Sequence, residues 1–219
     1  GNVSVESEED AMALAMRLRK DWSIGLDGIT SVIELLESNG VKIIEVEADA
    51  KFSGTCNKAG EIPVIVINKQ MSAERKRMTI FHELGHLLMH FAQGVDEEKM
   101  CTMFASEVLI PKEKFVDILG ESRHDISLVE LQVVQREYGI SVDALMAKAA
   151  QLNVITRRRY QSYFKKKNAL PQFKTAVEKS LVDDEHTNRF ERLVYRALAS
   201  EMISTSKAAS LLNCSVEKV

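Results

Sequence analysis

The residues best suited to chemistry in this chain are His82-Glu83-Leu84-Gly85-His86, an H-E-x-x-H run. Two histidines four apart stand one turn above each other on the same face of an α-helix, so both imidazoles can reach one metal ion. Glu83, between them, can take a proton from a water bound to that ion and later deliver it to a leaving amine. The implied reaction is metal-assisted hydrolysis of a peptide bond, with Glu83 as the catalytic residue. The competing reading is a chance match on a solvated helix, and the flanks oppose it. Phe81, Leu84, Leu87 and Leu88 surround the motif with apolar bulk. Gly85 costs about 1 kcal/mol against alanine inside a helix, which suggests close approach of another element or of a substrate there.

Two histidines leave a catalytic zinc one protein ligand short, because such a site ordinarily has three plus water. The extended pattern with a glycine and a third histidine is absent: Met89 stands in place of that glycine and Ala92 in place of that histidine. The third ligand is expected from the acidic cluster Asp96, Glu97, Glu98. Helical phase does not choose between Glu97 and Glu98, since both lie near the stripe of Cys101, Phe104, Ala105 and Val108. An acid of this cluster that binds no metal is an ordinary first-turn carboxylate favoured by the helix dipole. His90 reads as a packed or supporting histidine, because a fourth protein ligand would close the position that water needs.

The elements that must position these groups are readable in outline. Ser72 can cap a helix running from about Ala73 to about Gln93, stopped by Gly94, with apolar positions nearly all round its centre. A second helix begins at the acidic cluster and stops at Pro111. Ahead of both, helices are expected over Glu8 to Trp22 and Thr30 to Ser38, the latter ending at Asn39-Gly40. Two β-branched runs, Val41 to Val46 and Pro63 to Ile67, separated by turns at Gly54 and Gly60, predict a small sheet of about three strands. Val64 to Asn68 is expected near the cleft, where an edge strand could hold an extended peptide. After Pro111 the chain reads as helices over about Leu128 to Tyr138, Val142 to Leu152, Arg157 to Lys166, Asn188 to Ser200 and Ser206 to Leu212. The fold class is α+β: a mostly helical zincin-like domain over 1–155, with its sheet packed on the motif helix, and a helical, possibly helix-turn-helix-like region over 156–219.

These motifs resemble the ImmA/IrrE metallo-endopeptidases, the M78 peptidases. Arg77-Met78-Thr79 followed by Phe81 to Leu88 is similar to the family's R-F-T-x-A-H-E-L-G-H-L-L. Glu98 with Cys101 to Pro111 is similar to its E-x-x-A-N-x-F-A-x-x-L-L-M-P. Phe81, Cys101 and Thr102 depart from the family's alanine, alanine and asparagine. Carried over by position, the resemblance makes Glu98 the third metal ligand beside His82 and His86, with Zn2+ as the metal. It further implies a cytoplasmic endopeptidase that cleaves a helix-turn-helix transcriptional repressor. The likeness is strongest over 77–111 and continues to about Ala150, where Tyr138-Gly139-Ile140-Ser141 matches a turn between two helices.

Composition agrees with a soluble intracellular enzyme. The chain has 219 residues, enough at 45% hydrophobic content for a sizeable core, and its net charge of −3 argues against a general nucleic-acid coat. No apolar run reaches membrane-span length, and the charged stretch Glu6 to Asp10 is no signal peptide. Cys56, Cys101 and Cys214 are odd in number and scattered, which suits reduced thiols. Arg157-Arg158-Arg159 and Lys165-Lys166-Lys167, with Tyr160 and Tyr163 between, could bind phosphate and stack bases, but a solvated helix end is the favoured reading. A protein substrate is therefore the expected partner, with nucleic acid less favoured. His124, Tyr138 and Tyr160 are candidate oxyanion donors that spacing alone does not place. The alternative function is a non-proteolytic metal-binding module that binds a repressor or DNA through its helical tail.

Overall fold

The computed structural model describes residues 3–218. In chain order, a strand β1 (Val3–Val5) and helices α1 (Glu8–Asp21) and α2 (Val32–Ser38) lead into three strands, β2 (Lys42–Val46), β3 (Gly54–Ala59) and β4 (Ile62–Asn68). Then come α3 (Ala73–Leu88), β5 (Met89–Phe91), α4 (Glu97–Leu109), α5 (Lys112–Leu119), α6 (Leu128–Tyr138), α7 (Val142–Gln151), α8 (Arg157–Ala169) and α9 (Pro171–Glu178). The protein is α+β and mostly helical, with a small three-stranded sheet. Among the described residues no helix is long and apolar enough to cross a membrane.

The helix starts follow local chemistry. Ser7, Ser72 and Asp96 cap α1, α3 and α4 by accepting hydrogen bonds from Asp10, Arg75 and Lys99 backbone N–H groups. The core lies where α3 packs along α4 and α4 along α1. Helix α4 is its centre: Cys101, Phe104, Ala105, Val108 and Leu109 are fully buried, so truncating Phe104 to alanine would cost about 3–5 kcal/mol.

The strand order is β2-β4-β3, with β2 parallel and β3 antiparallel to β4. β4 is thus the central strand, paired on both sides, and the edge strand carrying inward residues toward α3 is β3. Val64 to Asn68 therefore cannot be the edge strand open to a peptide. The two edge strands of this sheet are β2 and β3, and it is β3, whose sequence GTCNKA has no apolar alternation to announce it, that runs beside the motif residue Glu83.

The metal-motif helix also ends sooner than its apolar run suggests. After Leu88 the chain extends, and β5 pairs in parallel with β1, Met89 opposite Val3 and His90 opposite Ser4. Pairing with a segment more than eighty residues away overrides the local helical pattern. His90 is consequently exposed on a strand and does not stand one turn above His86. Two helices, α5 and α9, lie in stretches where none is expected from sequence.

By packing, the chain divides after Glu185, thirty residues beyond the 155/156 boundary read from sequence. The physical reason is α8 and α9: Lys167 on α8 bonds Asp143 of α7 and Glu178 of α9, and the Tyr163 hydroxyl donates to Asp143 at 2.7 Å. The second unit, from His186, contains α10 (Arg189–Ala199), α11 (Thr205–Leu212) and a 3-10 turn at Val216–Lys218. Asn213, in the left-handed region at φ 50°, terminates α11.

Candidate metal centre

Helix α3 presents His82 and His86 on one face, with side chains 19% and 23% exposed, open enough for an ion to enter. Helix α4 brings the third group. Gly85 allows this, since a Cβ there would lie 3.1 Å from the Cys101 sulfur and 3.3 Å from its Cα. The two helices therefore touch at Gly85 and Cys101, and Glu98, one turn before Cys101, swings its carboxylate over both imidazoles.

The Nε2 atoms of His82 and His86 are 3.3 Å apart, and Glu98 places Oε2 3.1 Å from the first and Oε1 3.3 Å from the second. All three groups lie within 4.8 Å of one another and could hold a metal ion. A tetrahedral zinc with ligands at about 2.0–2.2 Å needs donor-to-donor edges of about 3.3–3.6 Å, so the group is already close to that shape. Glu97, its sequence neighbour, is an exposed first-turn residue of α4.

Around this triangle sit residues that sequence reasoning valued differently. The Thr102 hydroxyl is 3.3 Å from His82 Nδ1, which turns Nε2 of that ring toward the triangle. Thr102 stands where the family's usual asparagine would, and its four-residue spacing from Glu98 was the signal that could have found this role. Phe91 on β5 packs edge-on against the His86 ring, with centroids 6.1 Å apart.

Glu83, next to His82 on α3, lies against β3. A Cβ on Gly54 would fall 3.5 Å from Glu83 Cγ and 2.7 Å from the Thr79 methyl, so only glycine lets the edge strand come this close. Cys56 of β3 faces the Glu83 carboxylate; burial first, then that carboxylate, push the thiol's pKa up to about 12. Cys101 is likewise pushed up to about 12, by burial and then by Glu98 and Glu83. Neither sulfur belongs to the three groups that could share a metal ion.

The candidate oxyanion donors are placed elsewhere. Tyr138 is fully buried, its Cα beneath Gly28, and burial lifts its hydroxyl pKa to about 12. Tyr160 packs edge-on against Phe164, and His124 is an exposed loop residue. Much of the basic patch is engaged internally: Arg159 bonds Asp125, Lys167 bonds Asp143, and Lys166 lies 4.3 Å from the centre of the Phe173 ring.

Comparison with known proteins gives one family. Residues 36–149 match the profile of the peptidase M78 family, described as the IrrE N-terminal-like domain. None of the curated proteins matches the chain in sequence. Among solved structures, a Mycobacterium tuberculosis transcriptional regulator is similar at 12% identity with a TM-score of 0.47, over 65% of this chain and 46% of that one. With the matched region spanning more than half of its length, the chain belongs to the M78 peptidase family.

Proposed function

We propose that this protein is a zinc-dependent endopeptidase in which His82, His86 and Glu98 hold the metal and Glu83 is the general base and then the general acid. The observation that carries this reading is the triangle of three donors with Glu83 beside it. A site built only for structure is usually closed by four protein ligands, whereas three leave a position open for substrate chemistry. A bound zinc ion would polarise the scissile carbonyl and acidify a water molecule.

The chain's own residues do the rest. Glu83 takes the proton of the attacking water and passes it to the leaving nitrogen, which then departs as the amine. Thr102 holds the His82 ring. The outer edge of β3 offers backbone donors and acceptors to an extended peptide, which would add to the sheet as a further strand over Glu83.

A cytoplasmic helix-turn-helix repressor is the substrate proposed on the family resemblance, making the reaction a gene-regulatory one. The test is Glu83→Gln, with metal content and cleavage of a panel of purified helix-turn-helix repressors read together by elemental analysis and mass spectrometry. The variant is expected to keep its zinc and lose roughly 10²–10⁴-fold in rate. Undiminished cleavage by Glu83→Gln, or a wild type that binds no zinc, would sink the mechanism.

A further inference from the structure

Between the end of α9 at Glu178 and the start of α10 at Arg189 the chain forms neither helix nor strand. Residues 179–185 lie as a strap across the first turns of α3. Among the described residues no apolar side chain between Val177 and Val194 is fully buried, and the strap residue that is buried is a charge, Glu185, 3% exposed. What holds the strap is a row of polar contacts. The Lys179 carbonyl accepts from Gln135 at 3.0 Å, and the Ser180 hydroxyl and Leu181 N–H donate to Glu74 at 2.9 and 3.1 Å. Lys76 donates to the Asp184 carboxylate and the Glu185 carbonyl at 3.0 and 2.9 Å. The Glu185 carboxylate accepts from Arg77 at 2.7 Å and from the Val32 and Ile33 N–H groups that open α2 at 3.0 and 3.2 Å.

All three buried charges at the start of α3 thus meet strap atoms. Truncating one member of a buried pair is costly because the other stays in the core without water, whereas lifting the strap away hydrates both members together, and a buried pair offsets its own desolvation only narrowly. Little apolar surface would be exposed with it. Helix α4 is the opposite case, since its departure would expose Phe104, Val108 and Leu109.

We propose that residues 179–185 are a releasable latch on the metal helix. Docked, they fix the first turns of α3 and the start of α2; released, they free both and loosen the aim of His82 and His86. His186, the next residue, opens the second unit, so a partner drawing on that unit draws first on Glu185. The link to the metal rests on the metalloprotease reading above; the latch itself does not.

Amide hydrogen exchange of the full chain without metal, read residue by residue by NMR, tests it. Leu181 N–H reports the Glu74 end of the strap, and Val32 and Ile33 N–H report the Glu185 end. A latch that leaves as a unit gives these three amides one opening constant, with a denaturant dependence far smaller than that of Phe104 in α4. Ser180→Ala combined with Asp184→Asn removes two polar contacts at exposed positions. This variant is expected to speed exchange of Leu181 and, with it, of Val32 and Ile33, whose own bonds run to Glu185, by about 10–30-fold, leaving Phe104 unchanged. Saturating zinc should lower the shared opening constant by the ratio of zinc affinities of the docked and released forms, about tenfold. Leu181 exchanging independently of Val32 and Ile33, or all three opening only with Phe104 in global unfolding, overturns the latch. Three amides that move together but ignore bound zinc overturn its link to the metal. A chain that takes up no zinc overturns the metalloprotease reading, while the metal-free comparison still decides the latch.

Discussion

The two ends of helix α3 are built on opposite principles. Its first turns carry Glu74, Lys76 and Arg77, all at most 2% exposed and all tied to other elements. Arg77 bonds Glu185 at 2.7 Å and the Ile29 carbonyl, while Glu185 accepts the Val32 and Ile33 backbone N–H groups that open α2. Lys76 donates to Glu45, Asp184 and the Glu185 carbonyl, and Glu74 accepts from Gln135, Ser180 and the Leu181 backbone. Two turns later His82 and His86 are partly open, held by one threonine hydroxyl and one exposed glutamate. The anchored end buries its charges because each has partners; the open end leaves its donors facing one another, where a cation would complete them. Rigidity is placed where the helix must be aimed, and access where an ion could enter.

Breaking the anchor should have the largest effect. Arg77→Met would strand the Glu185 carboxylate in the core, and removing one partner of a buried pair costs about 3–5 kcal/mol. Urea unfolding of metal-free protein measures it. His82→Ala in the same metal-free protein is expected to cost less than about 1 kcal/mol, since its ring is partly exposed and supports little packing. Similar losses for the two variants would erase the distinction between the ends.

At the open end the sharper test is Thr102→Val. A hydroxyl that orients a ligating histidine is worth about 10–100-fold in metal affinity, and its loss should leave unfolding stability nearly unchanged. Thr102→Ser, which keeps the hydroxyl, should restore most of the affinity. An unaltered zinc affinity in Thr102→Val, by competition with a chromophoric chelator, would mean that the 3.3 Å contact orients nothing.

The open end was more legible in sequence than the anchored one. H-E-x-x-H spacing is local, as are the Ser72 cap and the Pro111 stop, so helical periodicity alone shows which side chains share a face. The anchor joins Arg77 to Glu185 across more than a hundred residues, and an arginine or glutamate destined for burial looks in sequence like any other. The same limit hid β3, whose inward residues are Gly54 and Cys56, and the early end of α3, which depends on pairing with β1. Thr102 was visible as a departure from the family's asparagine, but its contact with His82 required the α3–α4 approach that Gly85 permits.

The smallest effect, and the one that divides two adjacent residues, concerns Glu97 and Glu98. Helical phase could not separate them, whereas the packing of α4 on α3 turns only the Glu98 carboxylate onto both imidazoles. Glu97 stays a solvated first-turn acid, and its favourable interaction with the α4 dipole is worth about 0.3–1 kcal/mol. Glu97→Ala should therefore lower the unfolding free energy by no more than that and leave zinc stoichiometry untouched. Glu98→Ala should abolish stoichiometric zinc binding, because two imidazoles alone leave the ion without its only charged ligand. If elemental analysis instead found the metal lost in Glu97→Ala and kept in Glu98→Ala, α4 would have to sit on α3 with a different rotation. The close approach of Gly85 to Cys101 is the contact that such a rotation would have to break.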